Sequence, residues 1–220
     1  MQDRETRARA YAALGEVSRL AIVEALAHGD LSSSELSVRL DMPSNLLAHH
    51  LAVLAAAGLV ARHRSEGDGR RTYVSRTPAC NALLGVPRSV KPRRVAFVCS
   101  QNSARSQLAE AYWRRVSDVP VVSAGVHPAE RVHPGAVATG GRHGLDLTRA
   151  QPKLVTDVLE PEDLVVAVCD RAHEELDTAR LHWSIPDPVR AGGERAFDAA
   201  YADIADRALR MAGSFEGANP

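Results

Sequence analysis

The chain has 220 residues, 45% of them hydrophobic and 25% charged, with 27 basic residues matched by 27 acidic ones. That length fits one large domain or two small ones of ordinary globular composition, and zero formal net charge excludes a global field for nucleic acid, leaving only local basic patches. Cys80, Cys99 and Cys169 are too sparse for a secreted disulfide framework and fit a reducing cytoplasm; no apolar run is long enough to span a membrane, and Met1–Arg7 lacks the apolar core of a signal peptide.

The first elements read as short helices followed by a hairpin. Leu20, Ile22, Val23 and Leu26 form a helical stripe within Val17–His28, which ends at Gly29-Asp30. Ser32 and Glu35 have capping-box spacing at the start of a second helix running to Leu40. After the break Asp41-Met-Pro43, Ser44 can cap a third helix, Asn45–Ala57, which buries Leu47, Leu51 and Leu54 and turns Asn45, His49, His50 and Ala52 to other faces. Two helices joined by a tight turn, with polar groups at the start of the second, form a DNA-reading arrangement. Beyond Gly58, residues 59–76 read as a two-stranded wing turned by Gly67-Asp-Gly69. The candidate DNA contacts are Ser44, Asn45, His49 and His50 on the helix, and Arg62, Arg64, Arg70 and Arg71 on the wing, where arginines can neutralise phosphates.

This stretch resembles the ArsR-like family of repressors. The resemblance rests on Ala13-Leu-Gly-Glu-Val-Ser-Arg19-Leu-Ala-Ile, Glu35-Leu, His50-Leu-Ala-Val-Leu-Ala-Ala-Ala-Gly-Leu-Val60 and the glycine-containing wing, over roughly residues 8–78. It implies a homodimer placing paired recognition helices on a two-fold double-stranded DNA operator. Metalloid sensors of that family carry close-set cysteines before the recognition helix, whereas here Ser32-Ser-Ser-Glu-Leu-Ser37 has no thiol. Cys80 reads as a small packing residue. No carboxylate or cysteine shares the spacing of His49 and His50, so no metal site is expected.

Residues 84–93 hold two prolines, a glycine and no acid, and read as a basic linker between a domain at 1–83 and another at 94–220. The second domain alternates strands and helices: strand Arg94–Ser100, helix Ser106–Val116, strand Val119–Gly125, helix Gly135–His143, strand Leu164–Asp170 and a helix from about Arg195 to Ala212. That alternation predicts an α/β domain with a parallel sheet covered on both faces, preceded by a mainly α domain. Residues 213–220 have the composition of a frayed tail.

Between the first of these strands and its helix lies Cys99-Ser-Gln-Asn-Ser-Ala-Arg105-Ser106. A cysteine ending a strand, five residues, then an arginine at a helix mouth can cradle a tetrahedral oxyanion. The amides of Ser100, Gln101, Asn102, Ser103, Ala104, Arg105 and Ser106 turn inward, the helix start adds positive potential, and the Arg105 fork grips two oxygens. The same field favours a reactive Cys99 thiolate facing the anion it attacks. Ser106 can hold that sulfur or a loop carbonyl, Asn102 can brace the loop, and Asp187 in the stiff Pro186-Asp-Pro188 segment can protonate a departing oxygen. His127, His133, His143, His173 and His182 are too scattered for a metal and read mostly as surface residues.

Together these residues are similar to the low-molecular-weight protein tyrosine phosphatases and their arsenate reductase relatives. The likeness covers most of 94–212 through Val95–Cys99, Asn102, Arg105–Glu110, Ser123-Ala-Gly125, Gly144-Leu-Asp146 and Asp187-Pro188. It implies a flavodoxin-like parallel sheet, with Cys99 as nucleophile, Arg105 as clamp and Asp187 as general acid. Either chemistry starts with attack of Cys99 on phosphorus or arsenic; water then completes a phosphatase cycle, whereas a second thiol completes a reduction. Asp187-Pro-Val-Arg-Ala-Gly-Gly193 offers no aromatic wall for a phenyl ring, and Gln107 stands where phosphatases more often have proline, which favours reduction. Cys169 is either the resolving thiol or a buried strand residue, and Leu176 occupies the place of a further relay cysteine. No tightly bound cofactor is implied. The reductant would be external: thioredoxin, glutaredoxin with glutathione, or mycothiol with mycoredoxin. The expected function is an arsenate reductase fused to an arsenic-responsive DNA-binding regulator, the alternatives being a tethered tyrosine phosphatase or a non-catalytic oxyanion-sensing repressor.

Overall fold

The computed structural model describes residues 4–215, which form two compact units. The chain passes from one to the other at residues 87 and 88, and residues 66–68 group with the second. Residues 216–220, most of the predicted tail, lie outside the described residues; Gly213 and Ser214 still belong to a helix.

The first unit contains α1 (Arg4–Leu14), α2 (Val17–Ala25), β1 (Leu31–Ser32), α3 (Ser33–Arg39), α4 (Ser44–Ala56), β2 (Val60–Arg64), β3 (Thr72–Arg76) and α5 (Pro78–Leu83). Helix α3 has its capping box: the Ser32 side chain accepts from the Glu35 amide while the Glu35 carboxylate accepts from the Ser32 amide. The turn into α4 places Asp41 at φ 47, a left-handed conformation that a short polar side chain tolerates. Ser44 does not cap α4. Pro43 takes the N-cap position in extended backbone with no side-chain bond, its carbonyl accepts from Leu47, and Ser44 is already helical.

Strands β2 and β3 pair antiparallel from Val60 opposite Arg76 to Arg64 opposite Thr72, and β1 joins the far edge of β3. The connection over 65–71 is longer than a two-residue hairpin turn, and neither Gly67 nor Gly69 has positive φ. Ile22, Val23, Leu36, Leu47, Leu51, Leu54 and Val74 close the core, which also takes in Cys80. Burial pushes the Cys80 thiol up, against a smaller opposing effect of Arg76.

The second unit contains β4 (Val95–Cys99), α6 (Arg105–Val116), β5 (Val121–Gly125), α7 (Pro134–Arg142), α8 (Val155–Val158), β6 (Leu164–Ala167), α9 (Asp170–Glu175), β7 (Leu181–His182), α10 (Pro188–Ala191) and α11 (Glu194–Ser214). Its sheet is parallel, in the order β5-β4-β6-β7. Every residue of β4 is buried, which explains its unbroken apolar run: a central parallel strand is covered on both faces. Phe97 packs between Trp113 of α6 and Trp183, with ring centroids 5.7 and 5.4 Å away. Chain order runs outward in opposite directions from β4, so the carboxyl end of β4 opens at a topological switch point. No helix among the described residues is long and apolar enough to cross a membrane.

Candidate functional site

The site grows from the end of β4. Cys99 is its last residue, and α6 begins at Arg105, so the intervening loop closes over the sulfur. Asn102 sits at φ 48, turning its amide back to donate to Cys99 Sγ at 3.2 Å, and the Ser106 hydroxyl lies 3.1 Å from the same sulfur. The strained Asn102 is held from every side. Its Nδ2 donates to Ser106 Oγ at 2.8 Å and Ser123 Oγ at 2.9 Å; its Oδ1 accepts from Gln107 Nε2 at 3.0 Å and the Lys153 amide at 2.8 Å. A buried carboxamide with all four bonding directions filled can hold a backbone conformation that would otherwise relax.

Arg105 is buried at the mouth of α6. Its Nη1 donates to the Ile185 carbonyl at 2.8 Å, and its Nη2 lies 3.0 Å from Asp187 Oδ2. Burial opposes its charge, but the neighbouring Cys169 and Cys99 sulfurs and the Asp187 carboxylate hold its pKa above the ordinary arginine value. Asp187 caps α10 by accepting from the Val189 amide at 3.0 Å, which fixes the carboxylate at the rim. One cavity is lined by Cys99, Ser100, Gln101, Ser103, Ala104 and Arg105 on one side and by Cys169, Asp170, Asp187 and Arg190 on another. Asn102 and Ser106 stand behind that wall and make the bonds just described.

Cys169 follows β6, whose parallel pairing with β4 brings both strand ends to one sheet edge. It is the N-cap of α9, so it lies just beyond the strand rather than within it. Its sulfur is 3.6 Å from the Ser100 hydroxyl and accepts from the Ala172 amide at 3.4 Å. Burial pushes the Cys169 thiol up, more than nearby Arg105 pulls it down. Leu176 ends α9 and supplies no third sulfur.

Several residues of the site carry no sequence motif. Asp170 lies in the cavity wall with its carboxylate 3.0 Å from His182 Nε2, and it also accepts from the Ser184 hydroxyl. Burial raises its pKa, but the His182 and Ser184 bonds outweigh that and hold it below the usual carboxylate range. His182 is 2% exposed and stacks on His173 with centroids 4.2 Å apart, which corrects the surface reading of these histidines. Gln107, Glu110, Ser123 and Lys153 form the brace behind the loop; spacing of Ser106, Glu110 and Trp113 along one face of α6 is the signal that could have revealed Glu110.

In the first unit, Ser44, Asn45 and His49 are exposed on α4, and Arg62, Arg64, Arg70 and Arg71 are exposed on and beside the wing strands. His50 is not available to a duplex. It is buried 3.5 Å from Glu16 Oε2, because its position on α4 points into the packing against the start of α2 rather than outward. No group of three or more His, Cys, Asp or Glu side chains able to hold a metal occurs among the described residues.

A family model for the low molecular weight phosphotyrosine protein phosphatases matches residues 94–216, more than half of the chain. The chain belongs to that family. A second model, for bacterial regulatory proteins of the arsR family, matches residues 16–62. Among curated relatives, arsenate reductase 1 of Bacillus cereus is 33% identical over 105 residues, 44% of this chain and 78% of the relative. The arsenate reductase of Bacillus subtilis is 33% identical over 107 residues, 45% of this chain and 76% of its own. Among solved structures, an arsenate reductase in its oxidized state superposes with TM-score 0.50 at 22% identity, over 55% of this chain and 97% of that one. The tyrosine phosphatase Wzb from Escherichia coli K30, in complex with sulphate, does so with the same score and identity over 55% and 96%. These last two speak for the fold of the phosphatase-family domain.

Proposed function

We propose that this protein reduces arsenate to arsenite in the cytoplasm and binds operator DNA through its first unit as a homodimer. The observation that carries the enzymatic reading is a second buried thiol, Cys169, in the wall of the cavity that Cys99 opens into. The 33% identity to named arsenate reductases supports the same choice.

Cys99 Sγ attacks arsenic and forms an S–As bond, and one arsenate oxygen leaves as water after taking a proton from Asp187. The amides of the loop and the Arg105 fork bear the charge of the remaining oxygens. The Cys169 thiol then loses its proton and attacks Cys99 Sγ. The S–As electron pair passes to arsenic, which departs as trivalent arsenite, and a Cys99–Cys169 disulfide remains. An external dithiol, or a low-molecular-weight thiol with its redoxin, returns both sulfurs to the reduced state. The raised pKa of Cys169 suits a thiol that stays protonated until the adduct forms.

Arsenate-dependent oxidation of NADPH, coupled through thioredoxin, glutaredoxin or mycoredoxin systems, tests this directly. The parent turns over with one of them, Cys99→Ser is inactive with all, and Cys169→Ser loses turnover with thioredoxin. Undiminished turnover in Cys99→Ser would defeat the assignment. Hydrolysis of an aryl phosphate without arsenate reduction would make the protein a phosphatase instead.

A further inference from the structure

Glu66 is a second carboxylate at the Arg105 clamp, and the proposed chemistry has no use for it. It lies outside the residues matched by either family model, in the short segment 66–68 that groups with the second unit. Its Oε2 accepts from the Asp187 amide at 2.8 Å and stands 3.7 Å from Arg105 Nη1, and the residue lines the same cavity as Cys99 and Cys169. The other end of the guanidinium, Nη2, meets Asp187. Both ends of a fork suited to two oxygens of one oxyanion therefore face carboxylates of the chain itself.

The segment is held in place by its backbone. The Glu66 amide donates to Asp170 Oδ2 and the Asp68 amide to Glu174 Oε2, each at 2.7 Å. Between them Gly67 approaches α9 so closely that a Cβ there would meet the Glu174 carboxylate and stand 3.2 Å from the Arg171 Cα. The Glu66 side chain keeps 36% of its surface exposed, so it can swing out while the backbone stays seated.

We infer that Glu66 is an internal competitor for the oxyanion site: its carboxylate occupies Arg105 until phosphate or arsenate displaces it. This deepens the reading of the Cys99 loop as an oxyanion cradle and rests on it. A dianion entering the cavity must take the Nη1 donor from Glu66 and, while Glu66 stays, meets a like charge. Its apparent affinity falls to the extent that the carboxylate has not withdrawn. Asp187 differs, because a general acid carries a proton and a neutral carboxyl does not repel the anion.

The test is the concentration of inorganic phosphate that halves Cys99 alkylation by iodoacetamide, at one pH and constant ionic strength, followed by peptide mass spectrometry on the full chain. Glu66→Gln removes the charge but keeps an oxygen for the Asp187 amide, whereas Gly67→Val keeps the charge and unseats it. Both should lower that concentration about fivefold or more. Asp118→Asn removes an exposed acid that pairs with Lys91 outside the cavity, and it should stay within about twofold of the parent. An unmoved or raised value in Glu66→Gln overturns the proposal, and so does an equal drop in Asp118→Asn or phosphate protection absent from parent and variants alike. If Glu66→Gln does not fold, Gly67→Val decides by the same criterion. Protection needs no turnover, so a parent whose Cys99 is protected but which reduces no arsenate counts against the catalytic reading and not against this one.

Discussion

Asp163 shows what a single buried acid contributes outside the site. Its side chain is nearly inaccessible, and it meets Arg94 through two parallel bonds, Nε to Oδ1 and Nη2 to Oδ2, both 2.7 Å, while accepting from the Glu160 amide. Burial raises its pKa, but the Arg94 fork and that amide outweigh burial and leave it below the usual carboxylate value. A depressed carboxylate contributes stability that is complete above its unfolded pKa, about 3.9, and that disappears as pH falls through the folded value. Asp163→Asn should therefore destabilise the second unit by about 2 kcal/mol at pH 7, with the gap to the parent narrowing below about pH 4. Urea unfolding followed by tryptophan fluorescence reads this unit alone, because Trp113 and Trp183 both lie in its core. A gap that stays constant down to about pH 3 would refute the ionic account. At this scale the sequence was legible where a residue type has one use. Cys99 and Arg105 are singled out by their spacing and Asp187 by its place between two prolines, and all three line one cavity. Asp163, Asp170 and Glu110 do not, since an acid in a sequence reads as solvated until three dimensions show what surrounds it.

At the level of elements, the alternation of strands and helices predicts the parallel sheet, and the capping box of α3 forms as its spacing requires. Boundaries moved where backbone bonds rather than apolar pattern set them: β6 ends at Ala167 because the Cys169 side chain caps α9, and α4 starts at Ser44 because Pro43 serves as its cap residue. The junction of β5 with the Cys99 loop could not be read beforehand, since it depends on register. Gly125 is paired opposite Cys99 across the β4–β5 ladder. A Cβ on Gly125 would come within 2.9 Å of the Asn102 nitrogen and the Gln101 carbonyl carbon, both backbone atoms that cannot swing aside. On the proposed mechanism the same loop amides must point at the oxyanion. Gly125→Ala should thus leave the fluorescence of the two tryptophans native while weakening phosphate protection of Cys99 about tenfold or more. Protection equal to the parent's would mean that the loop has room the register denies it.

For the whole molecule, equal numbers of acidic and basic residues mean that long-range attraction to a polyanion is absent, and any duplex binding must be local. Besides Arg4, Arg7 and Arg9 on α1 and Arg39 at the end of α3, the exposed arginines of the first unit cluster at the wing, Arg62 and Arg64 on β2 with Arg70 and Arg71 just before β3, while Arg76 is buried and donates to the Val23 carbonyl. Asn45 and His49 are presented on α4, and His50 is withdrawn against Glu16. Binding built from phosphate contacts is salt-dependent, each contact adding about 0.9 to the logarithmic slope. Arg70→Ala with Arg71→Ala should weaken binding to all duplexes alike and flatten the slope by about two. Asn45→Ala should instead reduce discrimination between an operator and random duplex with the slope unchanged, because a base-edge contact releases no counterion. His50→Ala should follow neither pattern and should lower the stability of the first unit, since its ring fills packing space rather than a groove. Fluorescence anisotropy over a salt series on the full chain separates the three outcomes. A double arginine variant with the parent's slope would remove the wing from the interface.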